Sequence, residues 1–229
     1  MKKAFVSWSG GKDCCQAAYQ AIQQGFEIQY LLNMATSDGR RSCSHGISAR
    51  WIRLQSEATG IAVIQQPTTV DNYEAVFSNT LLKLKSEGVH YGIFGDIDFE
   101  PHREWITRVC AAAGIMPVLP LWQKDQTRIM QDFIEQGFVS VVVATQADML
   151  EEEWLGRQID ASFLADLAAY DENITPCGEA GEYHTLVIDG PLFKKRLEIQ
   201  AAGKVRRDKN WFLEIRKCVL AEKKAEGGT

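Results

Sequence analysis

The chain has 229 residues, a formal net charge of −5, 45% hydrophobic residues and 24% charged residues, the balance of an ordinary globular protein rather than a disordered or fibrous one. At this length folding buries roughly 70% of the surface that the unfolded chain exposes, so a core needs no metal or disulfide staple. The dispersed acidic residues argue against a broad nucleic-acid footprint, and no apolar run reaches the ~20 residues needed to cross a bilayer. Cysteines 14, 15, 43, 110, 177 and 218 contain no CxxC pair and are too sparse for a disulfide framework. The N-terminus lacks the long apolar run of a signal peptide. The expectation is a reduced, cytoplasmic protein with no membrane partner.

Taken in order, Ala4 to Ser7 reads as a short buried strand leading into glycines, and Cys14 to Gln24 as a helix stopped by Gly25. Ile28 to Met34 is a second strand, Ile47 to Thr59 a helix closed by Gly60, and Ile61 to Ile64 a third strand. Tyr73 to Ser86 is helical, His90 to Phe94 is a fourth strand ending at Gly95-Asp96, and Pro101 to Ala113 is a helix with proline in its first turn. Val118 to Trp122 is expected as a fifth short strand and Thr127 to Gln136 as a helix. Repeated strand–helix units with short connections predict a five-stranded parallel, Rossmann-like sheet flanked by helices. Ligands on such sheets bind at the carboxyl ends of the strands. Beyond about residue 125 the texture changes. A β-branched run from Val139 to Ala144 is followed by a polar helical segment opened by Glu151-Glu152-Glu153, and the tail from Leu197 to Ile215 alternates like antiparallel strands. The expected division is an α/β domain over 1–125 and a smaller α+β domain over 126–229, with a frayed end from Lys223.

The segment Ser9-Gly10-Gly11-Lys12-Asp13-Cys14 joins the first strand to the first helix. Adjacent glycines let backbone amides approach an anion closely, and the helix that follows presents its positive end. Lys12 adds a full charge for a phosphate. Asp13 can cap the helix or hold a magnesium ion. The spacing is neither that of a Walker loop nor GxGxxG. It resembles the pyrophosphate loop of N-type ATP pyrophosphatases, usually Ser-Gly-Gly-Lys-Asp-Ser, which cleave ATP between its α and β phosphates; here Cys14 stands at the last position, a weaker hydrogen-bonding group.

A second motif, Gly178-Glu179-Ala180-Gly181-Glu182-Tyr183-His184-Thr185, resembles the signature of the diphthine–ammonia ligase family, with further resemblance at Gly95-Asp96-Ile97, His102-Arg103-Glu104-Trp105, Pro120-Leu121-Trp122 and Leu155-Gly156-Arg157. The resemblance implies a HUP-type nucleotide-binding fold and a reaction in which a carboxylate is adenylated by ATP with magnesium, pyrophosphate departs, and ammonia displaces AMP. The acid is diphthine on elongation factor 2 in that family, or another acid here. Ser9, Gly10, Gly11, Lys12, Asp13, Cys14 and Met34 are then expected at the nucleotide, with Asp13 at the metal. Asp96, His102, Arg103, Gly178, Glu179, Glu182, Tyr183 and His184 are expected at the substrate. Catalysis falls to Lys12, Asp13, Glu179, Glu182 and His184. Glu179 and Glu182 suit a trimethylammonium or ammonium ion, Tyr183 or a nearby Trp suits a cation–π contact, and His184 suits a proton from ammonia.

Plainer readings stand beside these. The glycine loop and the second motif can be tight turns whose carboxylates cap amides, Asp96 can cap a turn, and His102 and Arg103 can form surface pairs. Cys43, His45, Cys177 and His184 fit no familiar zinc spacing. Two other functions share the first loop: adenylation of an RNA base for thiolation or amidation, and a non-catalytic nucleotide-binding module. A homodimer is one possible assembly.

Overall fold

A computed structural model describes residues 2–43 and 46–223. Strands β1 (Lys2–Ser7), β2 (Phe26–Thr36), β3 (Ala62–Thr68), β4 (Tyr91–Ile93) and β5 (Met116–Val118) form a parallel sheet in the order β3-β2-β1-β4-β5. Helices α1 (Lys12–Gln23), α2 (Ala49–Thr59), α3 (Tyr73–Ser86) and α4 (Glu100–Ala112) cross between its strands, and α5 (Gln126–Glu135) leads out of it. The second sheet is antiparallel, in the order β7-β6-β9-β8, built from β6 (Val139–Gln146), β7 (Tyr183–Asp189), β8 (Lys195–Arg207) and β9 (Asn210–Glu222), with α6 (Ala161–Tyr170) between β6 and β7.

Burial explains why β1 is central. Ala4, Phe5 and Val6 are fully buried, as expected of a parallel strand covered on both faces. One side carries Ala17, Ala18 and Ala21 of α1, small enough for close approach, in a core that continues through Phe133 of α5, Val142 of β6 and Leu186 of β7. The other side carries Phe5, Leu32, Phe77, Leu81 and Val109 under α3 and α4. One apolar core thus runs from the first sheet into the second. Because β2 and β4 flank β1, the chain leaves β1 and β4 in opposite directions and opens a crevice at their carboxyl ends.

Two elements differ from expectation. The fifth strand is Met116–Val118 rather than Val118 to Trp122, and Leu119 to Lys124 turn instead. Pro117 disguises the strand, yet β5 is an edge, where a missing amide is tolerated. The acidic run at Glu151 forms only a 3-10 turn, Glu152–Trp154, and the helix of this region is α6, whose N-cap Asp160 accepts from the Phe163 amide at 2.9 Å. Among the described residues, no helix is long and apolar enough to cross a membrane, and the six cysteines form no disulfide.

Candidate functional site

The glycine loop leaves β1 at its carboxyl end and is clamped from three directions. Gly10 has φ +86°, the left-handed region that favours glycine, and a Cβ there would lie 2.6 Å from Ile52 Cδ1 and 2.7 Å from Gln55 Oε1. Its carbonyl accepts from the Val187 amide at 3.0 Å and from Gln55 Nε2 at 2.9 Å. Gln55, fully buried on α2, also donates to Val187 O at 2.8 Å and accepts from Trp8 Nε1 at 2.9 Å. The Lys12 amide donates to Thr185 Oγ1 at 3.1 Å. These bonds join the loop after β1 to β7 of the second sheet.

Lys12 is 4% exposed. Its ammonium donates to Asp13 Oδ2 at 2.9 Å and to the Cys177 carbonyl, and lies 5.4 Å from the centroid of the Tyr183 ring. Asp13 Oδ1 is buried without a hydrogen-bond partner. Ser9 Oγ accepts from the Gly11 amide at 3.4 Å and donates to Cys14 Sγ at 3.5 Å, while Cys14 donates to Gly11 O at 3.2 Å. The thiol thus occupies the hydroxyl position of the usual loop as an internal brace. Burial opposes its ionisation, but hydrogen bonds from Cys15, Ser9 and the loop backbone leave its pKa lowered.

The second motif faces this loop. Glu179 is half-buried, and its carboxyl is pushed up to about 7, first by burial, then by Asp13, with Asp98 and Asp96 adding to it against Lys12. His184 lines the same cavity, and burial, with the Lys12 charge second, pulls its ring down to about 4 against Glu182. Tyr183 is 1% exposed and donates to Pro176 O at 2.5 Å. Gly178, with φ +72°, lets the chain pass the Tyr183 carbonyl, which a Cβ would approach to 2.8 Å.

These groups wall a cavity of about 660 Å³, which brings together Ser9, Lys12, Asp13, Cys14, Met34, Asp96, His102, Gly178, Glu179, Tyr183 and His184 of the expected site. Four expected residues stand apart from its lining. Gly10 and Gly11 lie behind it as backbone. Glu182 is fully buried beneath the motif: one carboxylate oxygen accepts from the Thr175 amide at 2.7 Å, and the other is buried without a hydrogen-bond partner. Arg103 is exposed, pairs with Glu100 and stacks 5.2 Å from the Trp122 ring. His102 Nδ1 lies 3.2 Å from Asp96 Oδ1, and that hydrogen bond raises its pKa against burial.

Gly95 adds a constraint that its sequence position alone did not reveal. A Cβ there would sit 2.7 Å from Asp13 C and 2.8 Å from Cys14 N, so the chain after β4 packs directly on the start of α1. Gly95→Ala is expected to destabilise by about 1–3 kcal/mol through overpacking, read as a lower denaturation midpoint at unchanged slope, with weaker nucleotide binding. An unaltered midpoint refutes the close packing. Five aromatic side chains outside the expected site, Trp8, Tyr73, Phe77, Phe94 and Trp105, also line the cavity, and of these only Trp105 belongs to a motif singled out in the sequence.

Cys43, Cys177 and His184 line it too, while His45 of the conceivable zinc set lies outside the described residues. Among those described, no group of three or more His, Cys, Asp or Glu is arranged to hold a metal.

Models of the diphthamide synthase N-terminal domain and C-terminal domain match residues 1–117 and 125–221. The chain belongs to the diphthamide synthase family. Within this family, curated relatives named diphthine–ammonia ligase include one from Danio rerio, 27% identical over 90% of this chain and 90% of its own length, and one from Homo sapiens, 25% identical over 90% and 86%. A relative of the same name from Schizosaccharomyces pombe is 27% identical over 92% of this chain, which spans only 38% of that longer protein. A solved structure described as a predicted subunit of tRNA methyltransferase from Methanocaldococcus jannaschii is 14% identical, with a TM-score of 0.46 over 82% of this chain and 98% of its own.

Proposed function

We propose that this diphthamide synthase family member is an ATP-dependent ligase that adenylates a substrate carboxylate, releases pyrophosphate and forms an amide with ammonia. The observation that carries the reading is a juxtaposition: the start of α1, with Lys12 and Asp13, and the motif bearing Glu179 wall one cavity. A carboxylate is a poor electrophile. Its attack on the α-phosphorus expels pyrophosphate and turns one carboxyl oxygen into an AMP leaving group, which ammonia then displaces.

Each requirement has a residue suited to it. The positive end of α1 and the Lys12 ammonium suit the pyrophosphate tail. The unpartnered Asp13 Oδ1 fits a magnesium ligand, and magnesium is commonly held by one or two carboxylates together with substrate phosphates. When bound it neutralises phosphate charge. Glu179, at about 7, is suited to take the proton that the attacking nitrogen sheds. His184 was expected in that role from its sequence position. With its ring pulled down to about 4 it stays neutral near pH 7 and is the weaker acceptor. The relatives' names point to diphthine as the acid, and the family resemblance to its carrier, elongation factor 2.

The deciding assay supplies magnesium ATP, ammonium and a diphthine-bearing protein and measures all products. AMP and pyrophosphate are expected in equal amounts, dependent on both acid and ammonium. Release of ADP and inorganic phosphate instead overturns the reading.

A further inference from the structure

Outside the cavity, charge is concentrated on the hairpin of β8 and β9. Residues 194–217 hold nine Lys and Arg against three Asp and Glu, a local net charge of +6 in a chain of net charge −5. Ion pairs absorb part of it: Lys195 pairs with Glu222, Arg196 with Glu198 and Arg207 with Glu214. Lys204, Arg206, Lys209, Arg216 and Lys217 are exposed, and none of the five forms an ion pair among the described residues. Charges of either sign protect a sheet edge such as β8 from strand addition. Here the unpaired charges are of one sign, with Asp208 at the turn the sole exception.

The fold sets this charge beside the site. Strand β9 starts against β6, with Trp211 opposite Thr145 and Phe212 opposite Ala144, and the same two residues of β6 stand opposite Tyr183 and His184 of β7. The hairpin tip and the second motif therefore share one end of the second sheet, two strands or about 10 Å apart. Trp211 and Phe212 are half-buried, and the guanidinium groups of Arg206 and Arg207 lie 5.8 Å from their ring centroids. Arg216 crosses Gly203, where a Cβ would lie 2.7 Å from its Nη2, and so reaches the β8 side of the ribbon. Helix α2, which carries Arg50 and Arg53, packs against both strands and extends the basic surface.

Unpaired cations beside flat rings suit phosphates and stacked bases. A protein partner wants an apolar anchor at the centre of its interface, and the exposed large hydrophobic residues, among them Val70, Phe99 and Met116, all lie outside the hairpin. We infer that the β8–β9 hairpin binds the phosphodiester backbone of a single-stranded nucleic acid at the edge of the functional site. The surface is available whether or not the cavity forms an amide. The test uses the full chain with fluorescein-labelled oligouridylate and oligothymidylate of about 12 nucleotides, and a polyglutamate peptide of equal charge, each read by fluorescence anisotropy. Nucleotide oligomers are expected to bind at about 0.05 M salt, with log K falling against log salt at a slope of about −2 to −3.5, the value for three to five phosphate contacts on a single strand. Binding of one oligomer alone identifies RNA or DNA as the source; binding of both identifies their common backbone. Lys204→Gln, Arg206→Gln and Lys217→Gln combined should weaken binding about tenfold or more and flatten the slope by about 2. Lys83→Gln, Lys124→Gln and Arg128→Gln combined remove the same charge elsewhere and should weaken it less than about twofold; circular dichroism checks each fold. No oligomer binding at that salt, tighter binding of polyglutamate, or equal losses in the two triple variants overturns the surface. So does displacement by ATP at constant ionic strength, which moves the oligomer into the cavity.

Discussion

Lys12→Met is expected to lower AMP and pyrophosphate release by about 10²–10³-fold with the fold retained, the scale seen when one preorganised charge-stabilising donor is removed from a reacting centre. Burial alone disfavours the Lys12 charge, but Asp13 foremost, then Tyr183 and Cys177, reverse this, and the pKa ends above the ordinary lysine range. The side chain therefore enters the reaction charged throughout the physiological range. Methionine keeps the length and removes the charge. It also strips the Cys177 carbonyl and Asp13 Oδ2 of their shared donor, which should cost about 1–3 kcal/mol, below the full value for a buried pair because Asp13 is 22% exposed. Both ATP affinity and turnover are expected to fall. A variant with normal affinity and normal pyrophosphate release removes Lys12 from the phosphate site, and with it the functional reading.

How far the sequence leads depends on whether a feature is local. Two adjacent glycines, a lysine and an aspartate between a strand and a helix announce an anion cradle without reference to the rest of the chain. The bounds of α3 coincide with expectation because its apolar period is regular. Glu182 illustrates the opposite case. Its motif marks it as functional, but only its neighbours determine that it turns inward to Thr175 while Glu179 turns to the cavity. The aromatic part of the cavity lining was hidden for a related reason. Tyr73 and Phe77 read as ordinary core residues of one helix and Trp105 as part of a motif on another, and their common exposure to a cavity arises only when α3 and α4 pack together. Helix α6 was legible in principle: Asp160 precedes Phe163 and Leu167 at helical spacing, but the acidic run at Glu151 to Glu153 drew the reading forward.

Glu179→Gln should separate nucleotide binding from amide formation. The useful form of Glu179 is the carboxylate, and its pKa lies at about 7 because burial, Asp13, Asp98 and Asp96 together outweigh Lys12. At a fixed concentration of free ammonia, wild-type product formation is therefore expected to rise about tenfold per pH unit below 7 and to level above it. The glutamine variant should lack that step and fall about 10²-fold or more at pH 8, with ATP affinity retained. Stability provides an independent sign check. The folded carboxyl holds its proton more tightly than the unfolded one, so wild type loses stability as pH rises from about 4.3 to about 7. Glutamine resembles the protonated form, so the variant should match wild type at pH 4 and melt higher at pH 8. His184→Gln should leave the step near pH 7 in place, because that ring is already neutral above about 4. If the step survives in Glu179→Gln and vanishes in His184→Gln, the two residues exchange roles; if both variants keep it, neither side chain is the proton acceptor.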